Sequence, residues 1–296
     1  MTVGAIYIIT HDPRYVGLLQ TSSASLKAAM PELPVTVFTQ FPVPDGQFEK
    51  VVPVTPTQDG FYDKARLMLE SPYERTLFLD ADICVLRAVP ELFTVLDRFD
   101  CAATHEEYVS TDWHKRYPRP DIPASFPEFN TGIFAFRRSP ATDRVLQDWS
   151  KLYRQYLESK PNEAINDQPF FRAAAYYGDA RIATLTREYN CKFRGQGYLN
   201  GEVKILHGHV NFQMRTSHVG QAAKILNRSQ RPRVYVAGKV FEQKVAGRLV
   251  AQRTAHKVGS FHELPEPVLR MRARRLKQVV KEHGVRSTLA KIFAVR

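Results

Sequence analysis

The chain has 296 residues, 44% of them hydrophobic, and a formal net charge of +12. That much apolar material can fill a core and excludes a disordered polyelectrolyte, while the longest early apolar run, Ala5–Ile9, is too short for a signal peptide or a membrane span. Cys84, Cys101 and Cys191 form no CxxC pair, which argues against a zinc or dithiol site and fits a reducing, cytoplasmic setting.

Ala5–Ile9 reads as a buried first strand, closed by the turn-forming His11-Asp12-Pro13. Apolar residues at three- and four-residue spacing predict a helix over Thr21–Met30. Val35–Thr39 is a second strand, Tyr62–Leu69 a second helix and Arg75–Leu79 a third strand, with further strands at Cys101–Thr104 and Gly132–Phe136 and a long helix over Asp143–Tyr156. Short apolar strands alternating with helices predict an α/β fold. In such sheets ligands bind beyond the carboxyl ends of the strands, so residues that follow a strand become the functional candidates. Past about residue 210 this rhythm gives way to basic sequence, and residues 201–296 hold 20 Lys and Arg against 5 Asp and Glu. Asn227–Pro232 reads as a turn or linker, so we expect a main domain over residues 1–225 and a basic, mainly helical extension over 226–296.

The residues that follow Arg75–Leu79 carry the first chemical signal. In TLFLDADICVL, Asp80 and Asp82 sit two apart at a strand end, which points both carboxylates to one side. Like charges held together need a cation or several donors between them. A turn or helix cap is one reading, since Pro90-Glu91-Leu92-Phe93 follows soon after. The sharper reading is a Mg²⁺ or Mn²⁺ site that keeps open positions for the phosphate oxygens of a substrate.

Two enzyme classes write such a motif. Haloacid-dehalogenase phosphatases end an apolar strand in Asp-x-Asp-x-Thr/Val, and this chain departs from them with Cys84 at the last position. LFLDADICVLRAVPELF instead resembles the DxD segment of the glycogenin-like family 8 glycosyltransferases. Further segments are similar to that family's in the same order: Thr10-His11-Asp12-Pro13-Arg14-Tyr15, Tyr62-Asp63-Lys64-Ala65-Arg66-Leu67, Phe129-Asn130-Thr131-Gly132-Ile133-Phe134, Asn166-Asp167-Gln168, Tyr189-Asn190 and Ile205-Leu206-His207. The resemblance spans roughly residues 3–210. It implies a GT-A type, Rossmann-like nucleotide-diphospho-sugar transferase domain that transfers with retention.

The resemblance also implies roles. Asp80, Asp82 and His207 would hold Mn²⁺ or Mg²⁺, with Asp80 also reaching the donor ribose; His209 is the alternative third ligand. Thr10 and Tyr15 would hold the nucleotide base, with uridine the default, and Lys64 would approach the diphosphate. Asn130, Asp167 and Gln168 would contact the sugar, Asp167 nearest the reacting carbon. The family's Gly-x-x-Lys-Pro-Trp after the histidine is replaced here by Gly208-His209-Val210-Asn211-Phe212, so the resemblance does not extend to the diphosphate grip at that point.

Residues 267–284, PVLRMRARRLKQVVKEHG, place Leu269, Ala273, Leu276 and Val280 on one helical stripe among Arg and Lys. Such a helix can pack back on the main domain, lie on the inner face of an anionic membrane as a peripheral contact, or meet an acidic glycan; no RNA-binding motif accompanies it, so a nucleic acid is the weaker expectation. The sequence therefore reads as a metal-dependent glycosyltransferase of glycan biosynthesis, moving a sugar from a nucleotide-sugar donor to a glycan or lipid-linked hydroxyl. A catalytically silent sugar-nucleotide binding protein is the alternative of another class, followed by a nucleic-acid or membrane binder acting through the basic tail.

Overall fold

The computed structural model describes residues 2–44, 46–106, 116–161, 163–208, 216–243 and 249–251. In chain order the first half runs β1 (Val3–Ile9), α1 (Arg14–Ala29), β2 (Val35–Thr39), β3 (Lys50–Pro53), α2 (Gly60–Leu67), β4 (Arg75–Leu79), β5 (Ile83–Val85), α3 (Glu91–Thr94) and β6 (Cys101–His105). It continues with β7 (Phe129–Arg137), α4 (Pro140–Ser159), α5 (Gln168–Tyr177), β8 (Ile182–Thr184), β9 (Gln196–Leu199), β10 (Ile205–His207), α6 (Thr216–Leu226), β11 (Arg233–Val236), β12 (Lys239–Gln243) and β13 (Leu249–Ala251).

Seven of these strands form one mixed sheet in the order β3-β2-β1-β4-β7-β6-β8. The β1–β4 strands are mutually parallel, β7 runs antiparallel to β4 and β6, and β8 is parallel to β6. This is the α/β architecture that the alternating pattern predicts. Its inner strands, such as β1, β2, β4 and β7, are apolar on both sides because both sheet faces are covered there. The period of two sorts β4 between the faces: Phe78 joins Trp149 and Tyr153 of α4 and Phe170 and Phe171 of α5, whereas Leu77 and Leu79 join Leu19 and Leu26 of α1 and Leu92 of α3.

The helix expected over Thr21–Met30 starts earlier, at Arg14 directly after Pro13. Its polar Ser22 and Ser23 are buried with their hydroxyls satisfied: Ser22 Oγ meets Tyr7 Oη at 3.0 Å, and Ser23 Oγ donates to the Leu19 carbonyl at 2.8 Å. At the head of α4, Ser139 accepts from the Thr142 N–H at 3.1 Å and Pro140 occupies the first turn, which moves that helix start ahead of the predicted Asp143.

Two smaller sheets complete the described chain. β5 pairs antiparallel with β10, and β13-β12-β11-β9 make a four-stranded antiparallel sheet. A third core, including Cys191, Leu199, Leu206, Leu226 and Tyr235, packs between them. Arg233 is buried there, its guanidinium donating to the carbonyls of Leu226, Gly201 and Arg231. Within the stretch expected to be a basic extension, β11 thus pairs directly with β9. The basic helix expected over 267–284 lies outside the described residues. Among the described residues, no helix is long and apolar enough to cross a membrane.

Phe171 is fully buried against Phe129, Phe134 and Trp149 and ties α5 to β7. Phe171→Ala should lower the unfolding free energy by about 3–5 kcal/mol in a urea titration. Tyr177→Ala, at the exposed end of the same helix, should change it by less than about 1 kcal/mol. Equal losses would show that this aromatic cluster does not hold the helix.

Candidate active site

Asp80 follows β4 without a break. Its N–H still donates to the Gly132 carbonyl of β7 at 2.8 Å, so the ladder fixes where its carboxylate begins. Ala81 turns into the core, and Asp82 comes next on the same side as Asp80. The third member arrives through the β5–β10 ladder, which sets His207 opposite Ile83 and lets the Gly208 N–H reach the Asp82 carbonyl at 3.1 Å. His207 Nε2 consequently lies 3.4 Å from Asp82 Oδ1 and 3.9 Å from Asp80 Oδ2. The three side chains offer ligand atoms that all lie within 4.8 Å of one another.

Two carboxylates and an imidazole are a donor set that suits a hard or borderline divalent cation such as Mg²⁺ or Mn²⁺. Gly132 makes the close approach feasible. A Cβ on it would lie 2.4 Å from His207 Cε1 and 2.5 Å from Asp80 Oδ2, so only a residue without a side chain fits beneath this pair.

Lys64 brings a positive charge to the same point from α2. That helix starts at Gly60 because the Asp59 side chain accepts from the N–H groups of Phe61 and Tyr62, both at 2.9 Å. Lys64 is buried, and its Nζ lies 3.2 Å from Asp80 Oδ1 and 3.7 Å from Asp167 Oδ2 while donating to Thr131 Oγ1 at 3.0 Å. Burial opposes the ammonium, but the carboxylates of Asp167 and Asp80 outweigh it and hold the lysine pKa above its ordinary value. Thr131 Oγ1 donates onward to Asp167 Oδ2 at 2.6 Å. The other oxygen, Asp167 Oδ1, is buried and has no hydrogen-bond partner among the described residues. Burial pushes the Asp167 pKa up, against the pull of Lys64.

A second polar network adjoins the first. Asn130 Nδ2 donates to Glu106 Oε1 at 2.7 Å and to Gln168 Oε1 at 3.2 Å, and Gln168 Nε2 donates to Glu128 Oε1 at 3.1 Å. Lys192 Nζ pairs with Glu106 Oε1 at 2.6 Å. Burial disfavours the Glu106 carboxylate, yet the Lys192 charge and the hydrogen bonds keep it below its ordinary pKa. Burial dominates at Glu128 and pushes it up to about 7. A cavity of about 430 Å³ joins the two networks, lined among others by Lys64, Asp80, Asn130, Asp167, Gln168 and His207.

Seven of the sequence-predicted residues therefore meet, the six that line the cavity together with Asp82 beside His207. Thr10 and Tyr15 do not line it. Thr10 is buried at the end of β1, and Tyr15 is 40% exposed on the first turn of α1. The Tyr15 hydroxyl pKa is raised, by burial and then by the charges of Asp82 and Asp80. Between them, His11 takes a left-handed φ of 63° and its Nε2 meets the buried Asp63 Oδ2 at 3.0 Å, which pins this turn to α2 beside Lys64. His209 lies outside the described residues.

Sequence reasoning gave no role to Glu106, Glu128, Thr131 or Lys192. Glu106 carried a usable signal, since it directly follows β6 as Asp80 follows β4. Lys192 carried none, because only the ion pair with Glu106 turns it into the cavity.

No family model matches the chain, and no curated protein matches its sequence. Solved structures similar to it include the galactosyltransferase LgtC in complex with donor and acceptor sugar analogs, at 15% identity over 63% of this chain and 74% of that one, TM-score 0.45. The apo form of mouse xyloside xylosyltransferase 1 is similar at 15% identity over 73% of this chain and 100% of that one, TM-score 0.48. The glycosyltransferase GlyE of Streptococcus pneumoniae TIGR4 is similar at 15% identity over 64% of this chain and 47% of that one, TM-score 0.45.

Proposed function

We propose that the protein is a metal-dependent, GT-A type glycosyltransferase resembling the glycogenin-like family 8 enzymes, acting on a nucleotide-diphosphate sugar. The observation that carries this reading is the convergence of Asp80, Asp82 and His207 beside one cavity that also presents Lys64, Asn130, Asp167 and Gln168. Asp80, Asp82 and His207 would hold Mn²⁺ or Mg²⁺. When bound, the cation supplies Lewis-acid stabilisation of negative charge on the diphosphate leaving group.

The chain's own residues have separate tasks on this reading. Lys64, kept charged by Asp80 and Asp167, orients toward the diphosphate and neutralises part of its charge. Asn130 and Gln168 hydrogen-bond sugar hydroxyls. Asp167 Oδ1, the oxygen without a partner among the described residues, accepts from the sugar or faces the anomeric carbon, where breaking the glycosidic bond builds positive charge. Transfer proceeds with retention, by same-face attack or through a covalent species. Uridine is the default base, held by Thr10 and Tyr15, and the acceptor is a hydroxyl of a glycan or lipid-linked molecule. Residues 267–284 would bring the enzyme to an anionic membrane on the cytoplasmic side.

Calorimetric titration with UDP, GDP and their common sugars, with and without Mn²⁺, tests the donor site. One nucleotide should bind in a metal-dependent manner, and Asp82→Ala should abolish that dependence while leaving the fold intact by circular dichroism. Absence of nucleotide binding in the presence of metal would sink the glycosyltransferase reading. Asp167→Asn separates chemistry from binding: turnover should fall by about 100-fold or more, in the range of a lost electrostatic stabiliser, with nucleotide affinity little changed. A fall in affinity alone would place Asp167 in binding rather than catalysis.

A further inference from the structure

We infer that Asn190 is a positioning residue that holds His207 in the tautomer able to ligate a metal, an inference that rests on the metal site proposed above. Two groups with fixed hydrogen-bonding roles determine the orientation of every amide in between. The Gly132 N–H can only donate, and it reaches one side-chain atom of Asn130 at 3.1 Å, so that atom is the oxygen Oδ1. The other end of the Asn130 amide faces the Glu106 carboxylate at 2.7 Å, an acceptor, which fixes Nδ2 from the opposite direction.

Asn190 touches the same Asn130 oxygen at 2.8 Å and so must present its own Nδ2 there. Its Oδ1 is thereby turned to His207 Nδ1, 2.9 Å away. An amide oxygen only accepts, so the ring proton of neutral His207 sits on Nδ1. Nε2 is left with a free lone pair, and Nε2 is the atom that faces Asp82 and Asp80 at 3.4 and 3.9 Å. Asn190 and Asn130 are 0% and 2% exposed, so water does not compete for these bonds. Beside two carboxylates an unrestrained imidazole would place its proton on Nε2 and donate to them, closing the site to a cation. Asn190 opposes that outcome.

The ¹⁵N resonances of His207 test this in metal-free protein at the alkaline end of a pH series, where they no longer change with pH, with assignment by the signals lost in His207→Gln. Nδ1 should fall in the pyrrole-like range and Nε2 in the pyridine-like range. Asn190→Leu should move the proton to Nε2 and weaken Mn²⁺ affinity, read by electron paramagnetic resonance of free Mn²⁺ without any donor, by about 10–100-fold. Asn190→Asp keeps an acceptor facing Nδ1 but opposes a carboxylate oxygen to Asn130 Oδ1, so it should restore the tautomer and only part of the affinity. A proton on Nε2 in the wild-type protein, or unchanged Mn²⁺ affinity in Asn190→Leu, would overturn the inference. Should Asn190→Leu fail to fold, the wild-type tautomer and the Asn190→Asp protein still decide the question. A wild-type protein with the expected tautomer that binds no Mn²⁺ overturns the metal site on which the inference rests, whereas the wrong tautomer overturns this inference alone.

Discussion

Like charge at the end of a buried strand is the constraint that organises this protein. Asp80 and Asp82 flank a buried Ala81, so neither can swing far from the other without pulling β4 out of the sheet. Unit charges about 4 Å apart interact by roughly 4 kcal/mol at an effective dielectric of 20. The chain answers with a buried cation, Lys64, placed 3.2 Å from Asp80 by a helix whose start is fixed by Asp59. It also sets an imidazole across the β5–β10 ladder. Both devices tie remote parts of the chain to the same few ångströms, so the folding of α2 and β10 and the geometry of the site are one problem.

β7 is the element through which these ties pass. The Gly132 carbonyl holds Asp80, and the missing side chain of that glycine admits His207. Thr131 joins Lys64 to Asp167, and Asn130 joins Glu106, Gln168 and Asn190. A regular strand would turn Asn130 and Thr131 to opposite faces. Here the β6–β7 register shifts: Ala103 pairs with Phe134, but Thr104 pairs with Asn130. Such an irregularity re-aims side chains at the strand end. It lets consecutive residues serve one cavity while the rest of β7, through Phe136, stays in the core.

How much of this could be read from the sequence follows from how local each signal is. β1, β2, β4 and the DxD pair were legible because burial on both sheet faces writes a continuous apolar run, and a charge that ends such a run stands out. The start of α1 was not, since no side-chain cap marks it and the turn-forming His11-Asp12-Pro13 directly precedes it. β8 to β13 were missed because they are short and their alternation is weak; β9, Gln-Gly-Tyr-Leu, carries almost none. His207 was reachable only through the resemblance, because its partners in space lie far away in the chain. The Glu106–Lys192 pair depends on a loop and a strand end that no local pattern connects.

Three unfavourable features meet beside the cavity, and this bears on what the cavity is for. A buried carboxylate oxygen without a donor, such as Asp167 Oδ1, costs roughly 1–3 kcal/mol. Asp80 and Asp82 add a repulsion that Lys64 offsets only from the Asp80 side, and His207 is held in the tautomer that does not donate to them. A sequence selected for stability alone would remove such features, so their meeting beside this cavity supports a functional role for it. Each is relieved by a different chemical group: the acid pair by a cation, Asp167 Oδ1 by a hydroxyl. A metal alone would satisfy the first and a neutral sugar the second. On the proposed reading, a nucleotide-diphosphate sugar bound with its metal would satisfy both at once.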